Sequence, residues 1–166
     1  MFQIGDAVVH PIRGAGIVTD IEELERRDGG QSYYRIELMS QPRTSVMVPV
    51  SSARDHGLRA ATAVSRMGRI WHLMDAPPRS LPGDYSARHE LLRDKLHSGE
   101  ACQVAEVLRD LAWRRRQKGH LTVVEKRLYR EGVGLLAGEI AAVRQINLMD
   151  AKLQIWNKVR DGLPRH

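Results

Sequence analysis

The chain has 166 residues, 42% of them hydrophobic and 28% charged, with one cysteine and a net charge of +6. That length allows one ordinary domain or two small ones with a packed core, and a lone Cys102 excludes an internal disulfide framework or a multi-cysteine zinc site. No apolar run approaches the ~18–20 residues of a membrane span, and the opening MFQIGDAVVHP lacks the basic-then-apolar shape of a secretion signal, so a cytoplasmic, reducing location is expected.

The first fifty residues predict β-structure. Ala7 to His10 is a short apolar run stopped by Pro11, and Gly14-Ala15-Gly16 leads into the β-branched run Ile17 to Glu22. Asp28-Gly29-Gly30 is a turn signal. From Ser32 to Leu38 the chain alternates, with Tyr34, Ile36 and Leu38 on one face; Gln41-Pro42-Arg43 turns it again. Thr44 to Val50 is a further strand with Val46, Val48 and Val50 on one face and Met47 on the other. Pro49 cannot donate to a ladder, so the strand is expected to lie at an edge or to be near its end there. Such an edge is either covered or is a docking site for another chain's strand. Four or five short strands in about 55 residues predict a small, strongly bent barrel.

After Gly57 the period changes. Val64, Met67, Trp71 and Met74 predict a helix over roughly 62–75, ended by Ala76-Pro77-Pro78 and a proline-rich connector over 76–83. A second helix starts near Asp84 with Leu91, Leu92 and Leu96 inward, and Ser98-Gly99 breaks it. A third, about 100–118, carries Ala101, Val104, Val107, Leu108 and Leu111 on one stripe and ends at Gly119. Thr122 and Glu125 form a capping-box pattern that opens a fourth helix to about 145. Asn147 caps a last helix whose apolar positions are Leu153, Trp156 and Val159, before Gly162 and Pro164. The expected class is α+β: a β-barrel over 1–60 and an all-α domain over 61–166.

Charge follows this division. Residues 1–76 hold 9 basic and 9 acidic residues, and residues 77–166 hold 17 and 11. A segregated excess suggests two surfaces with different partners, one of them polyanionic, or simply a solvated basic face. No histidine pair has metal-ligand spacing, and surface or capping roles are expected for the seven histidines, His166 included. Cys102 has no partner base and reads as a small buried hydrophobe. Glu22-Glu23 sits on a surface strand, and the Gly14-Ala15-Gly16 turn precedes a strand rather than a phosphate-holding helix. No cofactor, metal or catalytic constellation is expected. Tyr85 stands in the first turn of the second helix with Arg88 three residues on, on the same face. Such a pair can wedge a ring between bases while the cation holds phosphate, or staple the helix to the core. Arg114, Arg115, Arg116 and Lys118 form a compact positive cluster that is either a binding patch or a solvated helix end.

Several collinear motifs resemble one family. They are Ile4-Gly5-Asp6-Ala7-Val8-Val9-His10-Pro11, Gly14-Ala15-Gly16, Tyr33-Tyr34, Val48-Pro49-Val50 and Gly57-Leu58-Arg59 in the first part. Leu81-Pro82, Lys95-Leu96-His97-Ser98-Gly99, the run Val104 to Leu111, Lys118-Gly119 and Glu125-Lys126-Arg127-Leu128 follow in the second. Together they span almost the whole chain and resemble the CarD/CdnL bacterial transcription regulators. The resemblance implies a Tudor-like (SH3-like) barrel, similar to the polymerase-interacting domain of the transcription-repair coupling factor, joined to a helical DNA-binding domain. It implies docking on the β subunit of RNA polymerase by strand addition, through the region of Leu24, Arg43, Val46 and Met47. It also implies that the helical domain contacts promoter DNA, without sequence specificity, in the minor groove at the upstream edge of the bubble. There Tyr85 takes the place of a family tryptophan, and Arg88 and Lys126 match family basic residues; Arg114, Arg115 and Arg116 add a basic patch. Leu24 and Met47 stand where some members carry arginines, and Ala87 and Glu90 where some carry basic residues. The alternatives are an adaptor whose helical domain binds protein, and an architectural DNA-binding protein independent of polymerase. The exposed edge strand permits a domain-swapped dimer of the isolated chain.

Overall fold

The computed structural model describes residues 1–162, so Pro164 and His166 lie outside the described residues. Five strands come first: β1 Ala7–His10, β2 Gly14–Arg26, β3 Gly29–Leu38, β4 Ser45–Pro49 and β5 Arg59–Ala60. They form one antiparallel sheet in the order β4-β3-β2-β1-β5. β4 is therefore an edge strand, and Pro49 is its last residue, so both expected readings of Pro49 apply. The β2–β3 hairpin runs further than the expected strand over 17–22, because Gly29 at φ +116° closes it tightly behind Arg26. A bulge at Thr19 shifts the register between Val18 and Asp20 and bends β2. Inside the bend, Val8, Val18, Tyr34, Ile36 and Val48 pack with Ala53 and Leu58. Gly16 is obligatory here: a Cβ would lie 2.5 Å from the Glu37 carbonyl oxygen.

Five α-helices follow: α1 Met67–Asp75, α2 Tyr85–Leu96, α3 Ala101–Lys118, α4 Val123–Arg144 and α5 Leu148–Gly162. The third helix buries its whole expected stripe. Three faces depart from the period. Val64 is exposed in a 3₁₀ turn before α1, whose buried positions are Met67, Ile70 and Met74. On α2, Leu91 points to solvent, and Arg88 and His89 fill the inner face with Leu92 and Leu96. On α5 the core positions are Ala151, Ile155 and Val159, so Leu153 and Trp156 lie outside. On α2 a charged and a polar side chain take part of the inner face, and on α5 the small Ala151 joins Ile155 and Val159 there. Cys102 is half-buried rather than buried.

The sheet rests on α4. Val9, Ala15 and Ala142 share a small apolar cluster, and Gly138 on α4 lies beside Ala15. Glu139, buried between them, accepts two hydrogen bonds from Arg59 (2.8 and 3.1 Å) and two from the Thr62 N–H and hydroxyl (2.7 and 2.8 Å). Arg59 also donates to the Gly99 carbonyl (2.6 Å). Burial pushes the Glu139 carboxyl up, but Arg59 and Thr62 outweigh it and hold the pKa below the ordinary value.

Candidate functional site

Tyr85 opens α2. Asp84 caps the helix, its carboxylate accepting from the Ala87 N–H (2.9 Å). The connector before it is held by Asp110, which accepts from the Arg79 N–H (2.9 Å). Tyr85 is 53% exposed, and one helical turn on lies His89, ring centroids 3.8 Å apart and planes tilted by 59°. The Arg88 guanidinium carbon is 5.8 Å from the Tyr85 ring centroid, within cation–π range. The phenol thus projects outward from a fixed seat.

That seat is built around one carboxylate. Glu125 is fully buried and accepts from Arg88 Nε (2.6 Å), Arg114 Nε (2.9 Å) and the Thr122 N–H (2.9 Å). The Thr122 hydroxyl in turn accepts from the Glu125 N–H, completing the capping box. Arg88 spends a further nitrogen on the Pro82 and Gly83 carbonyls, both at 3.1 Å. One carboxylate therefore ties together the start of α2, the last turns of α3 and the start of α4. Burial raises the Glu125 pKa, but the Thr122 N–H and the two guanidiniums overcome it and hold it below the ordinary value.

This geometry corrects the placement of Arg88. It shares a helix face with Tyr85, yet its head turns inward and is buried, because a buried carboxylate requires a cation. Its guanidinium is held by Glu125 and the Pro82 and Gly83 carbonyls and does not face solvent. Arg114 is likewise committed to Glu125 and half-buried. Arg115, Arg116 and Lys126 are exposed at the neighbouring helix ends. His89 was expected at the surface or in a cap, but it is buried, and its Nε2 has no hydrogen-bond partner among the described residues. Burial first, then Arg88, lower its pKa, while Glu125 works in the other direction. The imidazole is therefore neutral near pH 7. His10 does cap, accepting at Nδ1 from the Ile12 and Arg13 N–H groups.

On the barrel, Val46 and Met47 both lie on edge strand β4. Val46 leans on the barrel core, while Met47 is half-buried on the other face, opposite Arg35. Arg43 is exposed in the preceding turn, at φ +65°. Leu24 is not beside them. It is exposed on β2 opposite Gln31, two strands in from the edge and beyond the end of β4. Glu22, expected on a surface strand, is half-buried and paired with Arg35 (2.5 Å). Among the described residues no group of three His, Cys, Asp or Glu could hold a metal ion, and no helix is long and apolar enough to cross a membrane.

Residues 2–61 match the family model for the CarD-like/TRCF RID domain, and residues 69–155 match that for the CarD C-terminal domain. The chain is also 34% identical over 148 residues to a Bacillus subtilis (strain 168) protein named "Putative transcription factor YdeB". That alignment covers 88% of this chain and 94% of the relative. The chain belongs to the CarD family. Its five-stranded sheet is accordingly the Tudor-like module and its helices the CarD C-terminal module, and its field of action is transcription regulation. Two residues of the CarD helical module escaped the sequence reading as site residues. His89 carried a signal, its spacing of four from Tyr85 on a helix. Glu125 was visible only as a capping-box member; its second role as the anchor of Arg88 and Arg114 depends on tertiary contacts.

Proposed function

We propose that this CarD-family chain is a non-enzymatic regulator that binds the RNA polymerase β subunit through its barrel and stabilises the promoter open complex through its helices. The division of labour follows the expected boundary, residues 1–60 for docking and 61–166 for DNA. β4 offers unpaired backbone groups for strand addition, flanked by Met47 and Arg43. Tethering there raises the local concentration of the helical module at the bubble. Tyr85 then enters the distorted minor groove at the upstream fork, while Lys126 and Arg115 attract phosphates. The observation that carries the reading is Tyr85 itself: an exposed aromatic at a helix start, seated on His89 and braced by the Arg88–Glu125 pair.

Such a protein shifts the closed–open equilibrium only by its differential affinity for the two states. One base–aromatic stack is worth ~1–3 kcal/mol, and about 1.4 kcal/mol is tenfold in the ratio. The test is the dissociation rate of a polymerase–promoter open complex with the parent chain and with Tyr85→Ala. The parent slows dissociation and Tyr85→Ala loses most of that slowing; equal rates for the two proteins remove Tyr85 from the mechanism. The adaptor reading is favoured by one observation. Met149, Leu153 and Trp156 form an exposed apolar row along α5.

A further inference from the structure

A second constellation, which shares Arg115 and Lys126 with the Tyr85 end of the module, occupies the groove between α4, α5 and the end of α3. It is a cleft of about 310 Å³ lined by Arg115, Lys126, Tyr129, Arg130, Lys152 and Trp156, among others, and among the described residues no carboxylate lines it. Its size falls at the low end of the ~300–1,000 Å³ range of ligand sites. None of the four cations is in a salt bridge among the described residues. Lys126 and Arg130 are four apart on α4, a like-charge pair whose repulsion an anion between them would relieve. Lys152 and Trp156 are four apart on α5 and so face the same groove. Trp156 is 40% exposed, although indole is among the side chains that bury most area. Burial keeps the Tyr129 phenol protonated well into the alkaline range, so its hydroxyl remains a donor.

We infer that this cleft is a second nucleic-acid site, which takes one unpaired nucleotide with its base stacked on Trp156 and its flanking phosphates on Lys126, Arg130 and Lys152. It rests on the reading of the helical module as DNA-binding and adds to it a place for a strand separated at the fork. The chemistry is that of single-strand binders, an aromatic platform inside a cationic groove. It is indifferent to sequence, since every base has a π-face. A protein ligand fits the groove less well: the rest of the apolar row, Leu153 and Met149, lies outside the cleft, and the cleft's own charge is wholly positive. Lys126 lines the cleft, and its chain neighbour Glu125 anchors the Tyr85 seat.

The test uses the full chain and a fluorescently labelled single-stranded oligothymidine, read by anisotropy across a salt series. Trp156→Leu keeps an apolar side chain and removes the stack; it is expected to weaken binding about tenfold, while Trp156→Phe retains most of it. Lys152→Glu, at the cleft wall, is expected to weaken binding and to make the salt dependence shallower by about one charge. A melting curve for each variant checks the fold. Oligothymidine affinities of Trp156→Leu and Lys152→Glu within twofold of the parent overturn the inference, as does an absence of binding by the parent chain at low salt. Displacement of the oligonucleotide by an acidic, leucine-rich peptide but not by unlabelled oligothymidine also overturns it, and assigns the groove to a protein. The reading under Proposed function fails separately, on open-complex lifetime with the parent and Tyr85→Ala. A lifetime unaffected by the protein, together with Trp156-dependent binding of oligothymidine, leaves the cleft standing without that mechanism.

Discussion

Glu125→Ala is the sharpest perturbation of the seat beneath Tyr85. The carboxylate is fully buried and satisfies two guanidiniums and a helix N-terminal N–H. Its removal strands Arg88, itself only 4% exposed, without a counter-charge. Breaking a buried pair from one side typically costs ~3–5 kcal/mol. In a chain of this size about 1 kcal/mol moves the melting temperature by ~2–4 °C, so a fall of about 6–20 °C is expected. Thermal unfolding followed by circular dichroism reads it. A double-mutant cycle with Arg88→Met isolates the pair, and the Arg88 substitution should cost less in the Glu125→Ala background than alone, by ~0.5–3 kcal/mol. The pH dependence has a fixed sign. The folded Glu125 pKa is lowered, so its contribution is present above the unfolded carboxylate value and is lost as pH falls through the folded value. A melting temperature within about 2 °C of the parent, with additive single substitutions, would refute the reasoning.

His89 has a lowered pKa, so acidification below its ordinary value of ~6.5 protonates the unfolded chain first and stability falls. His89→Phe keeps a ring under Tyr85 and should flatten that part of the profile; urea midpoints measured between mildly acidic and neutral pH check this. Glu139→Gln removes the charge that holds Arg59 and Thr62. It is expected to loosen the barrel from α4, read as faster amide exchange at Thr62 and along β5, with little change in the inner helices. Gly16→Ala forces its Cβ against the Glu37 carbonyl and should destabilise by ~1–3 kcal/mol. Gly134→Ala, where the helical position has open space, should instead stabilise by up to ~1 kcal/mol in the same urea titration. Met47→Glu on β4 should reduce capture of polymerase, measured by pull-down against the parent chain.

The element order was legible because its signals are local. Pro49 marked an edge, Asp28-Gly29-Gly30 a hairpin, Asp84 and Thr122 two helix starts, and Gly119 a stop at φ +81°. What misled was the assumption that apolar side chains choose the buried face. On α2 the buried face is chosen by an ion pair, so Arg88 and His89 turn in and Leu91 turns out. On α5 the buried face is apolar, Ala151, Ile155 and Val159, and Leu153 and Trp156 are surplus apolar positions that fall outside it. The site was half legible for the same reason. Tyr85 could be singled out from its position after a proline connector. The inward turn of Arg88 depends on Glu125, thirty-seven residues away, and no local spacing encodes it. On the barrel, Met47 and Val46 could be placed on an edge strand, but the separation of Leu24 from them follows from the length of the β2–β3 hairpin.

The central claim is that this chain grips polymerase with its sheet and places its helices at the upstream fork. A footprint of a polymerase–promoter complex, with and without the purified chain, tests it most directly. Added protection and a longer-lived signal of melted bases at the upstream bubble edge are predicted. An unchanged footprint there, in a complex shown to contain the protein, would contradict the account and leave a polymerase-bound adaptor in its place.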